Sequence, residues 1–161
     1  MPDEPFYFGF WRVVIRRHEN SYRLYEWDFE RDEFIYKLGK SLCLWYEQKN
    51  VCASQDLPWT SVGIEHLVYA TPSVFEWPIE STIEGLRNME NAPGSSGWFL
   101  YTEKDREENR PFQFLPLYEV LRKFNVNVSR FLALPDQWMF NIETNGECHI
   151  WEEDMSEDTV H

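Results

Sequence analysis

A chain of 161 residues is long enough for one domain and for a sizeable core without disulfides or metals. With 43% hydrophobic and 17% aromatic residues it is not the composition of a disordered chain. A formal net charge of −13 disfavours direct contact with nucleic acid or an anionic membrane surface, since both need a basic footprint.

The same charge favours a basic protein partner, because complementary fields speed encounter; solubility alone is the simpler explanation. There are 13 acids and 8 bases up to residue 80, and 15 and 7 after it. From Glu147 to His161 there are six acids and no Lys or Arg. Eight Trp, eight Tyr and twelve Phe leave some aromatics exposed, as protein interfaces favour. Cys43, Cys52 and Cys148 are odd in number and make no C-x-x-C, which suits a reducing compartment. Met1 to Pro5 has no basic segment followed by an apolar run, and no run is long enough for a membrane helix. The expected location is the cytoplasm.

Phe6 to Arg17 reads as a strand or strand pair, with Gly9 marking a bulge. His18 to Ser21 is a turn, Tyr22 to Phe29 an alternating strand, Glu30 to Asp32 a polar turn and Glu33 to Leu38 a third strand. Ser41 to Glu47 completes an antiparallel meander in the economical reading; a helix from Lys40 to Lys49 competes. Asn50 to Thr60 is loop, and Val62 to Ala70 is a strand or short helix that Thr71-Pro72-Ser73 breaks. Pro78 to Glu90 reads as a helix, with Ile79, Ile83 and Leu86 at compatible spacing. The linker-like stretch near 91–96 marks a possible subdomain boundary.

Gly97 allows a bulge just before the apolar strand of Phe99, Leu100 and Tyr101. Trp98 is either a core residue or part of a recognition surface. Glu103 to Arg110 is a loop charged with both signs. Leu117, Val120, Leu121 and Phe124 share a helical face that Pro116 introduces. Asn127 caps a second short helix with Val128, Phe131 and Leu132, ended by Pro135. Asn145-Gly146 predicts a two-residue hairpin turn, which pairs Phe140 with Trp151, Ile142 with His149 and Glu143 with Cys148. That register puts Trp138, Phe140, Ile142, His149 and Trp151 on the packed face. The fold class is therefore α+β: antiparallel sheets, a few short helices and a C-terminal β-hairpin. Residues 1–151 form one domain, and 152–161 form a disordered acidic tail.

Ser96-Gly97-Trp98-Phe99-Leu100, the acids Glu103 and Asp105, Leu134-Pro135, and Met139-Phe140-Asn141-Ile142 leading to Asn145-Gly146 together resemble a family of small bacterial immunity proteins from polymorphic toxin systems. The resemblance covers residues 95–151. It implies a protein that binds and neutralises a cognate toxin by occlusion, without catalysis of its own.

Searching for other chemistry gives little. The histidines at 18, 66, 149 and 161 do not cluster as metal ligands do. No nucleophile motif surrounds a cysteine, and no phosphate-cradling or dinucleotide glycine pattern occurs. Hence no enzyme, no metal and no cofactor are expected. The alternatives to an immunity protein are an acidic adaptor or regulator for a basic cellular protein, and a hydrolase using one cysteine. The expected partner site is the charged loop and the strand before it. Glu103, Asp105, Glu107 and Glu108 would steer a basic partner, and Trp98 and Tyr101 would supply the desolvated contact. The acidic tail is the rival site.

Overall fold

The computed structural model describes residues 3–76, 80–88, 93–123 and 128–153. Four consecutive strands open the chain: β1 (Phe6–Phe8), β2 (Trp11–His18), β3 (Ser21–Asp28) and β4 (Glu33–Ile35). They pair antiparallel in chain order, as the expected meander does. Gly9 sits at φ +60° and makes the turn between β1 and β2 rather than a bulge within one strand.

The meander stops there. Residues Gly39–Ser54 form a helix, α1: the economical reading of Ser41 to Glu47 as another strand gives way to the competing one, a helix. Its buried positions are Ser41, Leu44, Gln48 and Cys52, three or four residues apart. Two of those four are polar, so apolar periodicity did not reveal the face. The helix start is satisfied from outside. The buried Glu26 carboxylate of β3 accepts from the backbone N–H of Lys40 (3.3 Å) and Ser41 (3.0 Å) and from the Ser41 hydroxyl (2.8 Å). An acid placed there meets both orphan N–H groups and the positive end of the helix.

The rest of the chain builds a second sheet. Its elements are β5 (Leu67–Ala70), β6 (Ile83–Arg87), β7 (Ser95–Thr102), helix α2 (Glu103–Glu107), β8 (Gln113–Pro116), helix α3 (Leu117–Lys123), β9 (Trp138–Ile142) and β10 (Cys148–Glu152). Two 3₁₀ turns, Pro72–Phe75 and Ser129–Phe131, lie between them. The strand order is β10-β9-β6-β7-β5-β8. Every neighbouring pair is antiparallel except β5 and β7, which run parallel. The architecture is α+β, as expected.

The helix predicted over Pro78 to Glu90 is corrected: Ile83–Arg87 is a central strand, while 77–79 and 89–92 lie outside the described residues. Ile83 and Leu86 suit a helix by spacing, yet Gly85 is where sheet packing decides. A Cβ there would stand 2.2 Å from the Phe140 ring, so this strand admits its neighbour only through glycine. Gly97, at φ +77°, carries the expected irregularity, where the β5–β7 register shifts.

The C-terminal hairpin is present with a different register. Cys148 pairs with Ile142, Ile150 with Phe140 and Trp151 with Met139. The turn holds three residues. The Gly146 N–H donates to the Glu143 carbonyl (2.9 Å), Gly146 takes φ +87°, and the Glu143 N–H donates to the Glu147 carbonyl (2.8 Å). That is a type I turn with a glycine bulge, and it slips the register by one residue. A one-residue slip turns β10 over: Cys148 and Ile150 pack inward, His149 and Trp151 point outward.

Buried apolar residues from both sheets form one cluster, including Trp11, Val13, Trp27, Leu100, Phe140 and Ile142. Leu117 and Val120 of α3 join it, and so do Val128, Phe131 and Leu132 around the second 3₁₀ turn; Phe124 and Asn127 lie outside the described residues. Among the described residues one cation lies inside the cluster. Arg87 is buried, donates to the carbonyls of Thr60 (3.1 Å) and Leu134, and lies 6.0 Å from the Trp98 ring. Burial pushes its guanidinium down to about 10, so it remains charged at neutral pH.

Candidate functional site

Alternation decides which side chains the second sheet turns away from the core. Residues directly opposite on neighbouring strands share a face. The inner row is Ala70, Leu100, Gly85, Phe140 and Ile150. One residue along, the outer row reads Phe114, Tyr69, Phe99, Leu86, Met139 and Trp151, in register across all six strands. Solvated faces of antiparallel sheets are usually polar. This one carries four aromatics in six places.

The aromatics contact one another. Tyr69 stacks on Phe99 with centroids 4.7 Å apart and meets Phe114, tilted by 33°, at 4.5 Å. Phe112 meets Phe99 edge-on at 5.8 Å and Tyr101 at 6.3 Å. They are not sealed from water: Phe114 keeps 50%, Phe112 46% and Trp151 37% of its surface exposed. Exposed contiguous apolar surface of this kind marks contact sites on soluble proteins.

A polar row runs beside it: Tyr101, Glu84, Asn141 and His149 face one another across β7, β6, β9 and β10. The Tyr101 hydroxyl donates to Glu84. Burial first, then that hydrogen bond and the charges of Glu84 and Glu153, push the Tyr101 phenol well above its ordinary range. Arg106 of α2 reaches Glu84 at 3.4 Å. The α2 helix therefore overhangs the polar end of this face, with Glu103, Glu107 and Glu108 exposed on it.

The six residues predicted for the partner site separate into two groups. Tyr101, Glu103, Glu107 and Glu108 lie on or beside the outer face. Trp98 and Asp105 are fully buried. Trp98 points inward, donates from Nε1 to the Leu132 carbonyl (3.0 Å) and packs on Phe140 at 5.4 Å. Asp105 accepts from the Ser73 N–H (2.8 Å) and hydroxyl (2.7 Å), and Arg110 stands 3.5 Å away. Burial alone would raise its carboxyl. The neighbouring Thr71 hydroxyl, the two bonds from Ser73 and the Arg110 charge outweigh that and hold it below the usual carboxylate range. Its own N–H donates to the Thr102 hydroxyl (3.1 Å), which caps α2. The segment read as a charged loop is a short helix clamped to the Pro72–Phe75 turn.

Sequence reasoning missed Tyr69, Leu86, Phe99, Phe112, Phe114, Met139 and Trp151 as a surface. The signal was present in Phe112-x-Phe114 and Phe99-x-Tyr101, aromatics two apart and so on one side of an extended chain. The rival site, the tail from Glu152, is described only to Glu153. Among the described residues no three His, Cys, Asp or Glu gather as a metal would need, and no helix is long and apolar enough to cross a membrane.

No curated protein and no solved structure matches the chain. A family model does: the Imm33-like domain, over residues 47–153. That span starts inside α1 and holds the whole six-stranded sheet. The match covers more than half of the chain, which therefore belongs to the Imm33-like domain family, a family of bacterial immunity proteins.

Proposed function

We propose that this protein neutralises a cognate toxin by occluding it with the outer face of the six-stranded sheet. The observation that carries the reading is the apolar row in register across all six strands, inside the family-matched segment and rimmed by acids. The aromatics are suited to supply desolvated contact, which holds most of the energy of an interface. Glu103 and Glu107 are suited to steer a basic toxin surface and to pair with its Arg or Lys, while Glu84 and Glu108, held by Arg106 (3.4 Å) and Arg110 (2.7 Å), add to the field. Trp98 and Asp105 serve the site from below: one fixes β7 to the core, the other fixes α2. The protein then works as a stoichiometric binder in the cytoplasm of the cell that makes it, with no reaction of its own.

Co-expression with the protein encoded immediately upstream tests this. The neighbour should stop growth alone, and this chain should restore it. A neighbour that is harmless alone, or that kills just as well with this chain present, sinks the reading.

A further inference from the structure

A second surface lies outside the family-matched segment and does not depend on the proposed function. The β2–β3 hairpin projects beyond its sheet. From Val14 to Tyr25 it carries Arg16, Arg17 and Arg23 against a single acid, Glu19, in a chain of net charge −13. Beyond the stretch where β4 pairs with Glu26, Trp27 and Asp28, the outer edge of β3 has no partner strand among the described residues.

The backbone groups on that edge can be identified. The Asp3 N–H donates to the Ile15 carbonyl (3.0 Å) on the far side of β2. Ile15 thus turns its hydrogen-bonding groups away from Leu24, the residue opposite it. In an antiparallel ladder both members of such a pair turn outward, and the next outward pair is Arg17 with Tyr22. Tyr22 and Leu24 therefore present N–H and C=O groups to the open edge.

Among the described residues no strand takes the place a longer β4 would fill, because the chain turns off at Ile35, where the Lys37 N–H donates to the Ile35 carbonyl (2.9 Å). What remains is a groove of about 410 Å³ lined by Tyr22, Arg23, Leu24, Tyr36, Lys37 and Leu38. Arg23 lies over the Tyr36 ring at 4.9 Å and forms one wall. Tyr22 and Tyr36 remain 67% and 63% exposed.

We infer that this edge accepts an extended acidic segment of a partner protein as an added strand. Main-chain bonds to Tyr22 and Leu24 would hold it, and Arg23 and Lys37 would select acidic side chains. A second copy of this chain fits less well: pairing two β3 edges sets Arg23 and its neighbours against their like, which is how proteins discourage self-pairing. A nucleic acid would have to approach an acidic protein.

Amide hydrogen exchange on the full chain decides it, with short blocked peptides as probes. Alternating Glu and Val should slow exchange at Tyr22 and Leu24 about tenfold. Alternating Lys and Val should not. Leu24→Pro removes an outward N–H while leaving the β2 ladder intact, and should abolish the effect at Tyr22. If that variant does not fold, the double variant Arg23→Glu/Lys37→Glu should erase the preference for the Glu peptide. No slowing by the Glu peptide, equal slowing by both peptides, or a preference that survives in the folded variants overturns the inference. So does protection given only by a short DNA duplex, or protection that rises with protein concentration alone.

Discussion

The two sheets of this protein are built on different terms. The first takes four strands in chain order, each joined to the next by a short turn. The second takes β10-β9-β6-β7-β5-β8, so most of its neighbours are far apart in sequence and one pair is parallel. Charge divides with them. Residues 1–40 hold 8 acids and 7 bases, and residues 41–161 hold 20 and 8. Nearly all of the acidity thus belongs to the part that contains the family-matched sheet. The first sheet sets Arg16 and Arg23 over Tyr25 and Tyr36 at about 5 Å and leaves its hairpin in solvent. The second carries an apolar row on each face, with one face inside. A local meander needs little beyond its turns. A non-local sheet needs buried keystones to hold strands that the chain does not bring together.

The largest expected effect is on such a keystone. Arg87→Ala removes two charge-assisted bonds and strands the carbonyls of Thr60 and Leu134 in the core. Chemical denaturation should show a loss of about 3–5 kcal/mol. A loss below about 1 kcal/mol would mean that the second sheet does not depend on it.

Next in size is the clamp on α2. Asp105→Asn should cost about 1–3 kcal/mol at neutral pH, because it sets an amide against the Ser73 N–H and weakens the tie to Arg110. Asp105 has its folded-state value depressed, so its contribution is present above the ordinary carboxylate value of about 3.9 and is lost as pH falls through the lower folded one. The gap between parent and variant should therefore narrow below about pH 4. A gap that stays constant into acid would contradict the role given to the carboxylate.

The smallest effect is expected in the first sheet. Tyr22→Ser, on the exposed hairpin, should change stability by less than about 0.5 kcal/mol. A cost above about 2 kcal/mol would erase the contrast between a solvated ribbon and a keyed sheet.

The same contrast governs how much was legible in the sequence. The meander was, because alternation and polar turns are local signals: Tyr22 to Phe29 read as a strand and is one over Ser21–Asp28. The second sheet was legible only in pieces. Ile83–Arg87 imitated a helix because Ile83 and Leu86 happen to stand three apart, and the reason for Gly85 is Phe140, more than fifty residues on. The hairpin was found but slipped, since the choice between a two-residue and a three-residue turn at Asn145-Gly146 depends on Ile150 packing inward with Phe140. The α1 helix was only the competing reading, Lys40 to Lys49, because its buried face includes the polar Ser41 and Gln48, which bond to Glu26 and to the Ser129 carbonyl. At the site, four of six predicted residues lie at the surface. Asp105 was misplaced because a carboxylate looks solvated in sequence until Ser73, thirty-two residues away, bonds to it.

The central claim is that the outer face of the second sheet holds the toxin. Phe99→Ser/Phe114→Ser breaks the aromatic row while leaving Leu100, Phe140 and the inner row untouched. Titration of the purified toxin with this variant, checked first for a native denaturation curve, is the direct measurement. Affinity should fall by about 30-fold or more, the roughly 2 kcal/mol expected when anchor residues of an interface are removed. A folded variant that binds the toxin as tightly as the parent would contradict the claim.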